Sequence, residues 1–344
     1  MSGLIGCDAA PADRYDLALV DLDGVTYLGH EPIAGAAAGL KGARERGMRM
    51  VFITNNASRE PESVAAQLSG LSIPTEPVDV MTAAQAAAGV LATRLAPGAK
   101  VLVVGGAGLV TAVQAAGFVV VTSADDEPAA VAQGFAPELG WTQLAEAAYA
   151  VQRGAWHVAS NLDLSLPTAR GIAPGNGALV GAVRAATGVT PDSAGKPAPT
   201  MYRLAVERAG ADRPLVVGDR LDTDLAGARA AGYPGLLVLT GVSSGRDAVL
   251  ARPHERPDLL GADLLGLLVP HPAPRREPGT DGWWTTNGAA ARVTRGRLEL
   301  RAAADDVAGR VDLLRSACAA AWGAVDDGLP LAADSVPEFA VHAP

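Results

Sequence analysis

An α/β fold built on a doubly wound parallel sheet is predicted by three observations. Apolar strand-like runs alternate with helical patterns along most of the chain, which implies parallel pairing with crossover helices. The alternation is interrupted by a second alternating block and then resumes, so one α/β unit is inserted within another. Hydrophobic residues make up 49% of the 344 and charged residues 19%, the balance of a globular chain with a substantial core.

The elements follow in order. "DLALVDLD" is a short buried strand, and "AGAAAGLKGARERG" a helix stopped by Gly47. "MRMVFITNN" is the next strand, "REPESVAAQLSGL" a helix opened by Pro61, and "PVDVMT" a third strand. The second block starts near Thr82 and contains "KVLVVGGAGLVTAVQAAG", "FVVVT", the helical "TQLAEAAYAVQRG" and the strand "WHVASN", closing around "GIAPGNG". The first pattern resumes with "ALVGAVRAATG", "TMYRLAVERAG", "PLVVGD", "LAGARAAG" and "GLLVLTGV". The expected domains are therefore 1–81 with 177–250 as the core and 82–176 as the insert. Residues 251–280, rich in proline and charge, are expected to be a linker. Residues 281–344 form a small α+β extension: two strands joined at Arg295-Gly296, then a helix from about Asp305. Val307, Val311, Leu314, Cys318, Trp322 and Val325 make its apolar stripe, and Gly328 and Pro330 end it.

Composition excludes several roles. Lys+Arg total 28 against 37 Asp+Glu, a net charge of −9, which argues against nucleic acid as a partner. No run reaches the ~20 apolar residues of a membrane span. Leu4-Ile5-Gly6-Cys7 lacks the basic and apolar regions of a lipoprotein signal, so it reads as an untethered leader. Two cysteines, Cys7 and Cys318, make neither a disulfide framework nor a metal spacing. The expectation is a cytoplasmic protein.

Chemistry concentrates at strand ends, where open parallel sheets bind their ligands. Strand one delivers Asp21 and Asp23, whose side chains, two apart on a strand, point the same way. Carboxylates that close are costly unless a cation or proton lies between them. Strand two delivers Thr54, followed by Asn55 and Asn56; "AGKPAP" brings Lys196; "PLVVGD" delivers Asp219, with Asp224 five residues on. Lys196 is one of only three lysines in the chain. Asp222 is expected to be a surface charge or loop hydrogen bonder. Taken singly, Asp21 and Asp23 suit a strand-end turn, and Thr54-Asn55 a helix N-cap.

Taken together, Asp21-Leu22-Asp23-Gly24-Val25, Thr54-Asn55-Asn56, Gly195-Lys196-Pro197 and Gly218-Asp219 through Asp224 resemble the four ordered motifs of the haloacid dehalogenase superfamily. "ITNNAS" and the long insert resemble its NagD-like, 4-nitrophenylphosphatase-type branch, over roughly 16–242. The resemblance implies a large α/β cap of the C2 type for the insert, and Mg²⁺ held by Asp21, Asp219 and the Asp23 backbone carbonyl. Asp224 steadies a metal-bound water or serves as a ligand. It implies Asp21 as nucleophile, Asp23 as general acid and base, and Thr54, Asn55, Asn56 and Lys196 as phosphate binders. The second aspartate favours phosphoryl transfer to water over the dehalogenase chemistry of other members. Gln133, Asn161 and Asp163 are the expected cap residues for specificity.

The implied activity is a Mg²⁺-dependent phosphatase of a small phosphorylated metabolite. The Ala, Arg and Gly bias and the tail are similar to those of actinobacterial members acting on glycerol 3-phosphate. The alternatives are 2-phosphoglycolate, a broad range including 4-nitrophenyl phosphate and nucleotide monophosphates, or a non-catalytic phosphometabolite-binding protein. "VVGGAGLVTA" has Thr111 where a dinucleotide fingerprint needs its third glycine. The tail resembles part of an acetyltransferase fold but lacks the R/Q-x-x-G-x-G/A loop, so no acetyl transfer is expected; packing, or a homo-oligomer formed through cap or extension, is.

Overall fold

The computed structural model describes residues 3–29, 31–168, 170–277, 282–302 and 304–342. The chain divides into two compact units, Met1–Val51 with Ala209–Pro344, and Phe52–Arg208.

In the first unit, strands Leu259–Gly261, Gly235–Val238, Pro214–Gly218 and Leu17–Asp21 lie in that order, all parallel. Leu17 stands opposite Pro214 and Val20 opposite Val217. Every residue of these four strands is buried, as expected of a parallel sheet covered on both faces. The strand Arg49–Thr54 starts beside the first, the Arg49 N–H donating to the Asp16 carbonyl at 3.0 Å. In the second unit its end pairs with Val80–Thr82, Thr54 opposite Thr82. The second unit also carries a separate parallel sheet in the order Asp192–Ser193, Trp156–Ala159, Ala130–Gln133, Lys100–Val104, Val119–Val121.

Three boundaries differ from the sequence reading. The second unit runs from 52 to 208, wider than the predicted insert of 82–176. Helix Asn176–Thr187, assigned to the core by sequence, packs against helix Trp141–Gln152 over the second sheet. Its Val183 joins Leu102, Val104, Val131 and Val151 in one apolar cluster. Alternation names elements in order but does not say which sheet each joins. The stretch 251–280, expected to be a linker, contains the edge strand Leu259–Gly261, with Leu236 opposite Leu259. Three residues are too few to show a period among prolines and charges. Its predicted end at 280 lies outside the described residues. A hairpin, Ser165–Thr168 with Gly171–Pro174, was also absent from the sequence reading.

The extension is a four-stranded antiparallel sheet, Arg275–Arg276, Trp284–Thr286, Ala289–Thr294 and Arg297–Arg301, covered by helix Val307–Asp326. The predicted turn has positive φ at both Arg295 (51°) and Gly296 (76°), which suits a two-residue hairpin. Asp306 caps the helix by accepting the Gly309 N–H at 2.8 Å. Of the predicted stripe, Val311, Leu314, Cys318 and Trp322 are buried, whereas Val307 and Val325 at its ends are 44% and 45% exposed. The N-terminal segment is tied down rather than loose: the Ile5 N–H donates to the Asp258 carbonyl, and Cys7 pairs with His271.

Candidate active site

Asp21 ends the first strand and Asp219 directly follows the strand Pro214–Gly218, so two neighbouring strands deliver carboxylates at the same sheet edge. The chain after Asp219 makes one π-turn, Leu221–Leu225, in which the Leu225 N–H reaches the Arg220 carbonyl at 3.2 Å. Such a bulge re-aims a side chain; here it carries Asp224, whose carboxylate also accepts the Arg220 N–H at 3.2 Å. Oxygens of Asp21, Asp219 and Asp224 lie within 4.8 Å of one another, and all three residues are buried.

The surroundings are built around Asp219. Its Oδ2 accepts the Val242 N–H at 2.7 Å, and the Ser243 N–H donates to its carbonyl at 3.0 Å. Gly24 has φ +82°, and a Cβ there would stand 2.5 Å from Asp219 Oδ2; at Gly241 it would stand 2.0 Å away. The glycine of the first motif is thus set by two demands, a left-handed backbone and the approach of a carboxylate. Residues 240–243 carry no motif of their own; their signal in the sequence is Gly241 just beyond a strand.

Asp23 stands apart from this trio. The strand stops at Asp21, so its alternation does not extend to Asp23, which is exposed in a turn where the Gly24 N–H donates to the Tyr27 carbonyl. The crowding of acids comes from Asp219 and Asp224. Asp222 is exposed and pairs with Arg220 through two hydrogen bonds of 3.0 and 2.8 Å, which hold its carboxyl below the usual range. It is the surface charge and loop hydrogen bonder that the sequence leads one to expect.

In the second unit the structure gathers another predicted set. Thr54 is buried, and its Oγ1 accepts the Asn56 N–H at 3.1 Å. No N-cap forms there, since the next helix, Pro61–Gly70, is preceded by Glu60. Asn56 turns back to accept the Ser58 N–H and hydroxyl at 2.9 and 2.8 Å. Asn55 links the loop to Lys196: its Oδ1 accepts the Lys196 N–H at 2.8 Å and its Nδ2 donates to the Lys196 carbonyl at 3.1 Å. Gly195 permits this approach, since a Cβ there would lie 2.6 Å from Asn55 Oδ1. The peptide between Lys196 and Pro197 is cis, and Lys196 is buried.

Asn161 and Asp163 join that network. Asn161 Nδ2 donates to the Asn55 carbonyl at 2.7 Å, and the Asp163 carboxylate accepts Asn55 Nδ2 at 3.1 and 3.3 Å. Gln133 neighbours them through its backbone, its carbonyl accepting the Ser160 N–H at 2.8 Å, but its fully buried side chain places Oε1 2.9 Å from His157 Nε2. Burial holds His157 at about 4. The glycines of "VVGGAGLVTA" serve packing: a Cβ at Gly108 would meet the carbonyls of Arg59 and Ala57 at 2.7 and 2.9 Å.

Three buried carboxylates at such separations repel unless a cation is bound. An all-oxygen donor set suits Mg²⁺, which takes a couple of carboxylates and completes its shell with waters and substrate oxygens. The residues fit the ion.

Comparisons with known proteins give the family. Residues 18–119 match a family model of haloacid dehalogenase-like hydrolases and residues 193–267 a second, HAD-hydrolase-like model. A D-glycerol 3-phosphate phosphatase of Mycobacterium tuberculosis is 50% identical over 256 residues, 74% of this chain and 72% of that one. An acid sugar phosphatase of Staphylococcus aureus is 36% identical over 236 residues, covering 68% and 90%. A crystal structure of a glycerol phosphate phosphatase from M. tuberculosis in complex with magnesium superposes with TM-score 0.83 at 44% identity, covering 92% of each chain. The 4-nitrophenylphosphatase of Thermotoga maritima gives 0.69 at 29% identity, covering 75% of this chain and 98% of that one. The chain belongs to the haloacid dehalogenase-like hydrolases. Within them it is a Mg²⁺-dependent phosphatase acting on a phosphorylated small molecule. Among the described residues no helix is long and apolar enough to cross a membrane.

Proposed function

We propose that the chain hydrolyses glycerol 3-phosphate to glycerol and phosphate through an aspartyl-phosphate on Asp21. The substrate rests on the 50% identity to the M. tuberculosis D-glycerol 3-phosphate phosphatase. The mechanism rests on the buried trio of carboxylates. Asp21, Asp219, Asp224 and the Asp23 carbonyl would hold Mg²⁺, which, when bound, neutralises the negative charge around the phosphoryl group.

Asp21 attacks phosphorus, forming an O–P bond as the ester P–O bond breaks. Exposed Asp23 gives its proton to the departing glycerol oxygen and takes one back from the water that next attacks phosphorus. That second displacement breaks the Asp21–phosphorus bond and frees phosphate. Lys196 and the Thr54 hydroxyl balance the phosphoryl oxygens. Asn55 and Asn56 shape that loop, with Asn161 and Asp163 acting through Asn55 rather than as specificity residues. Residues of the second sheet, 100–193, are the cap of the family, and Gln133 is a buried structural residue of it. The cytoplasm, where phosphorylated metabolites are met, is the proposed location.

Phosphate release tests the substrate, with glycerol 3-phosphate, 2-phosphoglycolate, 4-nitrophenyl phosphate and a nucleotide monophosphate compared by kcat/KM, with Mg²⁺ and with EDTA. Glycerol 3-phosphate should be preferred by at least ~10-fold, a difference of about 1.4 kcal/mol in transition-state binding. A higher kcat/KM for 2-phosphoglycolate would reassign the substrate and leave the mechanism standing.

A further inference from the structure

The loop after strand Gly235–Val238 forms part of the carboxylate site through its backbone. Val242 supplies an N–H to Asp219 Oδ2 at 2.7 Å and Ser243 an N–H to the Asp219 carbonyl at 3.0 Å. Ser243 Oγ accepts the Leu221 N–H at 3.1 Å, at the start of the turn that carries Asp224, and Thr240 donates to the Gly24 carbonyl at 2.6 Å. The two N–H groups orient Asp219, and the two side chains tie the loop to the turns that carry Asp224 and Asp23.

On its other side the same segment is held by the C-terminal extension. His342 Nε2 donates to the Leu239 carbonyl at 3.1 Å. Gly245 leaves no room between itself, Leu314 and Phe339, a Cβ there standing 3.2 Å from Leu314 Cδ2 and 2.8 Å from Phe339 Cβ. The Arg246 guanidinium donates to the carbonyls of Val336 and Ala333 at 3.0 and 2.9 Å. The Trp322 indole N–H donates to the Ala248 carbonyl at 3.1 Å. The helix these contacts grip, Gly245–Val249, has five residues, far below the length at which a helix holds itself together. One apolar cluster contains Leu221 and Leu225 of the Asp224 turn together with Leu314, Cys318 and Trp322 of the extension.

We propose that the extension braces the metal-ligand loop, with Arg246 and Trp322 as positioning residues that keep the Val242 N–H on Asp219. This rests on Asp21, Asp219 and Asp224 being the metal ligands. The extension thereby has a task in the reaction without touching the substrate.

The test is Mg²⁺ binding to the full chain by calorimetry, with no substrate present, alongside kcat and KM at saturating Mg²⁺. Groups that orient metal ligands commonly contribute 10- to 100-fold to affinity. Arg246→Met should therefore raise the Mg²⁺ Kd by about tenfold and Trp322→Phe by less, with KM for substrate unchanged. Trp283→Leu is the control: Trp283 lies outside that cluster, stacked by Arg292 and Arg301 at 4.7 and 3.9 Å, and its variant should bind Mg²⁺ as wild type does. Unaltered affinity in both brace variants, or an equal loss in Trp283→Leu, overturns the brace. Asp219→Asn separates the two ideas: lost Mg²⁺ binding there with none lost in the brace variants sinks the brace alone. Retained binding in Asp219→Asn removes the ligand assignment and the brace with it.

Discussion

Two buried clusters of charged groups in the first unit are built on opposite plans. At the sheet edge, Asp21, Asp219 and Asp224 put three carboxylates within 4.8 Å of one another. At the seam with the extension, Arg315 donates to Asp312 at 2.6 Å, to the Leu260 carbonyl at 2.7 Å and to His271 Nδ1 at 3.1 Å. His271 Nε2 donates to the Gly266 carbonyl at 2.7 Å, and Asn287 to the second oxygen of Asp312 at 2.9 Å. The second cluster is balanced in charge and satisfied from within, which is how a fold buries ions without a ligand. The first gathers like charge, and needs something from outside. Burial of charge alone does not mark a site; burial of one sign does.

The contrast is broken or sharpened by substitution. Asp21→Asn should cost at least ~10³-fold in kcat, as loss of a nucleophile does, with the fold intact by circular dichroism; phosphate release near the wild-type rate would end the covalent mechanism. Asp312→Ala should do the reverse. It leaves the Arg315 guanidinium buried without its carboxylate, which costs about 3–5 kcal/mol in urea denaturation, while kcat per folded molecule is kept. A fall in kcat as large as in Asp21→Asn would erase the distinction between the clusters.

Acid provides a third, smaller test. Burial, with Arg315 beside it, holds His271 at about 4 against an ordinary 6.5, and burial alone does the same to His157. A histidine whose pKa is depressed on folding leaves the unfolded chain holding more protons between those values. Its contribution is complete above about pH 6.5 and is withdrawn as pH falls toward about 4. Tm should decline across that window, and His271→Asn should make the decline shallower; an unchanged slope would take His271 out of the account. The smallest effect belongs to Asp222→Asn, which severs an exposed pair with Arg220. It should change stability by no more than ~0.5 kcal/mol and leave kcat alone, and a tenfold loss of activity would restore Asp222 to the site.

Much was legible in advance. Asp21, Thr54, Asp219 and Lys196 stood out as candidates because a strand followed by a short polar motif is a local signal. Alternation of strand and helix is local too, and it was enough to predict a doubly wound sheet with a second α/β unit. Other features depend on residues far apart in the chain. That Asn161 and Asp163 serve Asn55, about a hundred positions earlier, needs the folded loop to be seen. So does the membership of helix Asn176–Thr187 in the second sheet. The extension shows the division most plainly. Its helix and hairpin were written in periodicity and a turn, yet nothing local in "RSACAAAWG" indicates that Trp322 meets Ala248, 74 positions earlier. Sequence by itself determined which groups can do the chemistry, because residue type and strand position are properties of neighbours. Tertiary structure alone decided what holds those groups still, because packing joins segments that share no stretch of chain.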